Sequence, residues 1–282
     1  GFLMKKNKID VHMGSAKFLS KSKVEVTGED GEKTEISADN FIIATGASAI
    51  APDAWNVDGE NVVTYWEAIL QEKLPESVIV IGSGAVGVEF STVWNSYNVD
   101  VTIVEMLPLL VPLEAEAVSK ELEKEFKKQK INVLTGHKVE KIEVGDGQVT
   151  VTVSSEDGEK ELQAEQALVA IGFKPNTADI GLENTGVELG DNGAVMIDDQ
   201  MATNVEGIWA VGDVTAKLML AHVGSAQGII CAENIAGVET ITLDYKMMPR
   251  ATYCHPQIAF ELVPVEGQAY ELGAGQIPPE LE

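Results

Sequence analysis

The chain has 282 residues, 45% of them hydrophobic and 23% charged, which is enough for two domains with proper cores in a soluble globular protein. A formal net charge of −25, offset by no basic tract, argues against a nucleic acid or an anionic membrane surface as partner. No apolar run reaches membrane-spanning length, and no basic-then-apolar leader opens the sequence. Gly1 stands first with Met4 close behind, so the native chain is expected to begin upstream. Cys231 and Cys254 are too few and too far apart for a disulfide framework or a C-x-x-C site. They read as reduced, cytoplasmic thiols with buried structural roles.

In chain order, residues 8–17 (KIDVHMGSAK), 23–27 (KVEVT) and 33–37 (KTEIS) alternate apolar and polar side chains, with GEDG at 28–31 as a turn. They predict an antiparallel meander with one wet face. Residues 38–46 (ADNFIIATG) then change to a continuous apolar strand closing on Gly46. Pro52 and Pro75 bound an irregular connection, in which Trp66 and Leu70 are expected to pack one face of a short helix.

Residues 78–105, VIVIGSGAVGVEFSTVWNSYNVDVTIVE, follow. The β-branched run 78–81 has the composition of a strand buried on both faces of a parallel sheet. Gly82, Gly84 and Gly87 come next at G-x-G-x-x-G spacing, then a helical stretch to about Asn98 and a second buried strand at 101–104. Gly82 permits the tight turn, Gly84 admits a pyrophosphate to the backbone, and Gly87 lets helix and strand pack closely. The helix start at Ala85 and Val86 offers unpaired N–H groups and a positive dipole end to phosphates. Glu105 ends the second strand, about 20 residues after the glycines, where a carboxylate accepts the hydroxyls of an adenosine ribose. A tight βα turn without a ligand accounts for the glycines but not for Glu105. These residues therefore predict a dinucleotide site. No arginine follows Glu105 to favour a 2′-phosphate, so NADH is expected over NADPH.

Beyond a proline-punctuated loop, Glu114 and Glu116 suit the first turn of a helix running to about Gln129. A strand is expected at 131–134, a hairpin at 139–144 and 149–153 about a GDG turn, and a buried strand at 166–172 ending on Gly172. Residues 207–214 (GIWAVGDV) form a strand into a Gly-Asp turn, followed by a helix over about 223–236. From Pro264 the tail, rich in glycine and proline, is expected to be poorly ordered. His12 and His137 read as surface residues, His222 as a packing residue at a helix start, and His255 as a strand residue.

Three stretches add a family resemblance. Ala44-Thr45-Gly46 ends one apolar strand, Ile171-Gly172-Phe173-Lys174-Pro175 ends another, and residues 203–213 (TNVEGIWAVGD) match a flavin-binding motif of flavoproteins with two dinucleotide folds. With the nucleotide unit, the chain resembles the pyridine nucleotide–disulfide oxidoreductases over about residues 1–259, and within them the dihydrolipoyl dehydrogenase branch. Leu220-Ala221-His222 and residues 232–237 (AENIAG) resemble that branch's helix after the Gly-Asp motif.

The resemblance implies an α/β fold of two nested dinucleotide-binding domains with β-meanders, the first incomplete. Residues 1–70 would be a partial FAD-binding domain, 71–191 the NAD-binding domain, 192–243 the returning FAD-binding segment, and 244–282 the start of an interface domain. NAD would lie on Gly82, Gly84, Ala85, Val86, Gly87, Glu105 and Gly172. FAD would lie on Ala44, Thr45, Gly46, Gly212, Asp213, Leu220 and Ala221, with Asp213 on a ribitol hydroxyl. Glu89 matches a carboxylate that in this family pairs with a lysine near the flavin. Phe173 stands where many members carry arginine, which leaves Lys174 as the local cation.

The family's first G-x-G-x-x-G, its C-x-x-x-x-C redox disulfide and its His-Pro-x-x-x-Glu pair do not occur in the sequence. Phe260 holds the place of that glutamate after His255-Pro256. No catalytic residue is therefore assigned, and FAD is expected to bind weakly or not at all. The implied activity passes electrons from dihydrolipoamide through disulfide and FAD to NAD. The implied partners are a second copy of the full-length chain and a 2-oxo acid dehydrogenase complex. Another FAD/NAD(P)H disulfide reductase, an NADH oxidase, or a non-catalytic nucleotide-binding module remain as alternatives.

Overall fold

One parallel sheet and two antiparallel meanders hold most of the strand residues. The computed structural model describes residues 1–260, 262–265 and 268–271. The chain divides into two compact units, Gly1–Ser48 with Lys174–Tyr245, and Ala49–Phe173 with Lys246–Glu282. These changeover points differ from the sequence-based boundaries at 70, 191 and 243. The segment from Lys246 joins the unit of the nucleotide loop because Cys254 and Ile258, each 2% exposed, are buried in that unit's core.

In the second unit, five parallel strands lie in the order Val62–Val63, Gln166–Val169, Ser77–Ile81, Asp100–Val104 and Asn132–Leu134. Successive side chains of a strand point to opposite faces, and both faces here are covered. Val78, Val80, Val101 and Ile103 share a core with Val88 and Trp94 of the helix Ala85–Ser96 and with Leu122 and Phe126 of the helix Glu116–Lys128. Ile79, Ile81 and Val104 face the other way, onto Val149, Val151 and Val153. Those valines belong to a meander of Lys138–Gly145, Gln148–Ser155 and Gly158–Ala164. Burial on both sides explains why the central strands read as unbroken apolar runs.

The first unit contains the meander Ser15–Ser20, Lys23–Thr27 and Lys33–Ser37. It also pairs Phe41–Ile43 in parallel with Ile208–Ala210. Ile43, Ile208, Ala210 and Val211 share a core with Ile230 and Cys231 of the helix Ala221–Ile235.

Several sequence expectations need correction. The first meander strand begins at Ser15 rather than Lys8, after a short helix Phe2–Lys6. In the helix Tyr65–Leu70 the inward residue is Ala68, while Trp66 is 60% and Leu70 65% exposed. A capping box sets that direction: the Thr64 hydroxyl accepts from the Trp66 N–H, and the Glu67 carboxylate accepts from the Thr64 N–H. Tyr65, not Trp66, turns toward the strand end, its ring 5.5 Å from that of Phe173. Glu114 precedes its helix and pairs with Arg250 at 3.5 Å, leaving Glu116 as the first-turn acid. His255 lies in the turn between Arg250–Thr252 and Ile258–Phe260, with its N–H on the Thr92 hydroxyl and its carbonyl accepting from Gln129. His222 sits at its helix start as expected, but it is exposed rather than packed into the core. Leu262–Val265 and Gln268–Glu271 pair antiparallel, and the rest of the tail expected to be poorly ordered lies outside the described residues.

Phe126 is fully buried between its helix and the sheet. Phe126→Ala is expected to destabilise this unit by about 3–5 kcal/mol, read as a fall in the urea midpoint. A loss under about 1 kcal/mol would contradict the packing described.

Candidate dinucleotide site

The glycine loop joins the end of Ser77–Ile81 to the helix Ala85–Ser96, and each glycine has a distinct steric reason. Gly82 has φ +100°, and a Cβ there would lie 2.4 Å from the Ala170 carbonyl oxygen. A Cβ on Gly87 would lie 2.0 Å from the Gly82 carbonyl oxygen, well inside contact distance. At Gly84 a Cβ would meet nothing within 4 Å. Two glycines thus serve the fold, and the third leaves open space in front of the helix. Gly84 is the helix N-cap and no side chain caps it, so the first N–H groups, those of Ala85, Val86 and Gly87, lack intrahelical acceptors. Gly84 and Ala85 are exposed and Val86 half-buried, so the open positive end of the dipole faces that space.

Glu105 closes the site on the neighbouring strand end and is only 8% exposed. Its Oε2 accepts from the Ser83 N–H at 2.9 Å and the Ser83 hydroxyl at 2.8 Å, and its Oε1 accepts from the Leu107 N–H at 2.8 Å. Burying a carboxylate this far is costly unless its oxygens are hydrogen-bonded, and these donors meet that need. Its two oxygens offer about four acceptor positions, so room remains for a ligand hydroxyl. Gly172, with φ +120°, follows the adjacent strand Gln166–Val169, and its carbonyl accepts from the Ile50 N–H. Gly82, Gly84, Gly172 and Glu105 therefore gather at the carboxyl ends of neighbouring parallel strands, where open α/β sheets bind ligands. Lys174, the local cation, is exposed.

In the other unit, Phe41–Ile43 and Ile208–Ala210 run side by side, and the Val211 N–H donates to the Ile43 carbonyl at 3.0 Å. Their ends bring Ala44-Thr45-Gly46 beside Gly212-Asp213. A Cβ on Gly224 would lie 3.3 Å from the Gly212 Cα, which places the start of the Ala221–Ile235 helix, with Leu220 as N-cap, at the same end. The Asp213 carboxylate has no hydrogen-bond partner among the described residues. Gln227, 1% exposed, holds this turn: its Oε1 accepts from the Gly212 N–H at 2.6 Å and its amide donates to the Tyr245 hydroxyl. Thr45 and Asn176 exchange two bonds, Thr45 Oγ1 to the Asn176 carbonyl and Asn176 Nδ2 to the Thr45 carbonyl.

Ser83 and Gln227 escape sequence reasoning, since both act through partners distant in the chain. The one signal for Ser83 is a small polar residue between the first two glycines. Glu89, read as flavin-side support, accepts from the Tyr253 N–H at 2.7 Å. Burial pushes the Cys231 thiol up to about 11. Burial, reinforced by the nearby Glu89 charge, pushes Cys254 up to about 11 as well. Neither has the lowered value of a redox nucleophile.

The parallel sheet, its three-glycine loop and the buried acid on the next strand define an α/β dinucleotide-binding protein. A family model described as pyridine nucleotide-disulphide oxidoreductase matches residues 1–228, and the chain belongs to that family. It is 50% identical over 259 residues to the dihydrolipoyl dehydrogenase of Mycobacterium tuberculosis, covering 92% of this chain and 56% of that protein. It is 46% identical over 263 residues to the dihydrolipoyl dehydrogenase of Corynebacterium glutamicum, covering 92% and 55%. The chain thus spans little more than half the length of these curated relatives. Among solved structures, LpdA of Mycobacterium tuberculosis is similar with a TM-score of 0.82 and 28% identity, over 91% of this chain and 56% of that one. The HOCl-induced flavoprotein disulfide reductase RclA of Escherichia coli is similar with a TM-score of 0.82 and 26% identity, over 93% and 61%.

The glycine geometry separates two substitutions. Gly87→Ala is expected to destabilise the unit by at least about 1–3 kcal/mol in urea unfolding, whereas Gly84→Ala keeps the wild-type midpoint and weakens dinucleotide binding. Equal stability losses would contradict the loop geometry.

The thiols supply a pH prediction. Their folded values near 11 lie above the ordinary value of 9.0. Below pH 9 both states keep the proton; as pH rises from 9 to 11 the unfolded state gives it up first, and folding stability falls. At pH 8 only about one thiol in a thousand ionises in the folded chain, so Ellman's reagent should react only after unfolding. Rapid labelling of either cysteine in folded protein would refute their burial.

Proposed function

We propose that this chain carries the NAD site and part of the FAD site of a flavoprotein disulfide oxidoreductase of the dihydrolipoyl dehydrogenase type. The observation that carries the reading is Glu105, held at a parallel-strand end beside an open helix N-terminus. The 50% identity to a dihydrolipoyl dehydrogenase supports the choice of branch over the alternative disulfide reductases and oxidases.

The open space at Gly84 fits a pyrophosphate, held by the N–H groups of Ala85, Val86 and Gly87. Glu105 accepts one adenosine ribose hydroxyl, and Gly172 lines the neighbouring strand end without a side chain in the way. In the other unit, Asp213 takes a flavin ribitol hydroxyl, while Ala44, Thr45, Gly46, Gly212, Leu220 and Ala221 line the approach. When bound, FAD and NAD supply hydride chemistry between a dithiol substrate and the nicotinamide. The residues of this chain bind and orient; its two cysteines are each free and buried, and neither is assigned a relay role. The full-length protein is proposed to be a cytoplasmic homodimer serving a 2-oxo acid dehydrogenase complex.

The reading is tested by titrating the chain with NADH and NADPH by calorimetry. A hydrogen bond to a charged group contributes about 1.5–3 kcal/mol, so NADH is expected to bind roughly ten- to a hundredfold more tightly. Glu105→Ala should remove most of that margin by weakening NADH. Equal affinities in the wild type would sink the assignment.

The chain is also expected to show no dihydrolipoamide:NAD⁺ turnover. A rate above that of the Cys231→Ser, Cys254→Ser double variant would contradict the roles given to these thiols.

A further inference from the structure

We infer that Ser83 is a positioning residue for coenzyme choice: its hydroxyl fixes Glu105 before any ligand arrives. This rests on the dinucleotide reading and adds to it a residue that the glycine pattern leaves free.

Ser83 occupies the variable place between Gly82 and Gly84, where the loop requires only a backbone. It is nonetheless fully buried, and its side chain points at a single group. The hydroxyl donates to Glu105 Oε2 at 2.8 Å, on the same oxygen that accepts the Ser83 N–H at 2.9 Å. Leu107 N–H holds the other oxygen at 2.8 Å. Three of about four acceptor positions on the carboxylate are thus filled by the chain, two of them on Oε2. The remaining position lies on Oε1, and the ribose meets a carboxylate that cannot rotate away from it.

Loop and acid are further locked together, because the Ser83 carbonyl accepts from the Val111 N–H at 3.1 Å and the Glu105 N–H donates to the Leu134 carbonyl at 2.9 Å. Both backbones are held independently of the serine hydroxyl. Removing the hydroxyl therefore loosens one carboxylate oxygen without releasing the loop, and the effect falls on ligands that bond Glu105. Supporting groups of this kind lower the ordering cost of binding rather than add a ligand contact.

The test is a double-mutant cycle on the chain with NADH and NADPH as probes, with a thermal melt of each variant. Ser83→Ala should keep the wild-type melt within a few degrees, weaken NADH about three- to tenfold and leave NADPH little changed. In a Glu105→Ala background, Ser83→Ala should have no further effect on NADH. Unchanged or tighter NADH binding by Ser83→Ala, or the same loss with and without Glu105, overturns the role of Ser83 while the dinucleotide reading stands. If instead Glu105→Ala leaves the NADH-to-NADPH ratio at its wild-type value, both the coenzyme reading and the role of Ser83 fall.

Discussion

A buried carboxylate that its own chain must satisfy sets the geometry of the nucleotide end. Glu105 is nearly withdrawn from water, and an ionised group there is tolerated only with donors arranged around it. Ser83 and Leu107 provide three of them. Those bonds tie the glycine loop to the end of the neighbouring strand, so the turn that presents the helix N-terminus and the buried acid beside it are held together. Gly87 contributes the other constraint: its missing side chain lets the helix sit against the Gly82 carbonyl. The sheet beneath is held from both faces, by helices through Val80 and Ile103 and by a meander through Ile79 and Val104.

The first unit, which holds the Gly-Asp turn, repeats the principle with different chemistry. There a neutral amide, Gln227, accepts from the Gly212 N–H and fixes the Gly-Asp turn, with Tyr245 satisfying its other end. A buried glutamine placed this way aligns the backbone without adding a charge beside the Asp213 carboxylate, which has no hydrogen-bond partner among the described residues.

Much of this is legible in the sequence because the signals are local. The apolar runs of Ser77–Ile81 and Asp100–Val104 announce strands buried on both faces, and the strands Lys23–Thr27 and Lys33–Ser37 follow from alternation about a glycine turn. What is hidden depends on partners distant in the chain. Gly158–Ala164 is exposed along nearly its whole length and becomes a strand only by pairing with Gln148–Ser155. The helix that turns Trp66 outward starts at the Thr64–Glu67 capping box, a local cap that hydrophobic periodicity does not reveal. The bonds from Ser83 to Glu105 and from Gln227 to Gly212 join residues whose separation no periodicity encodes. His255 resembles a strand residue by its flanks, yet tertiary bonds to Thr92 and Gln129 hold it in a turn.

The glycine loop and Glu105 are proposed to form one preorganised dinucleotide site. Amide chemical shifts of the labelled chain, followed through an NADH titration, test it most directly. The largest saturable changes are expected on Ser83, Gly84, Ala85, Val86 and Leu107, with the meander amides of Lys138–Gly145 unmoved. Saturable shifts that leave this loop untouched, or no shifts at millimolar NADH, would contradict it.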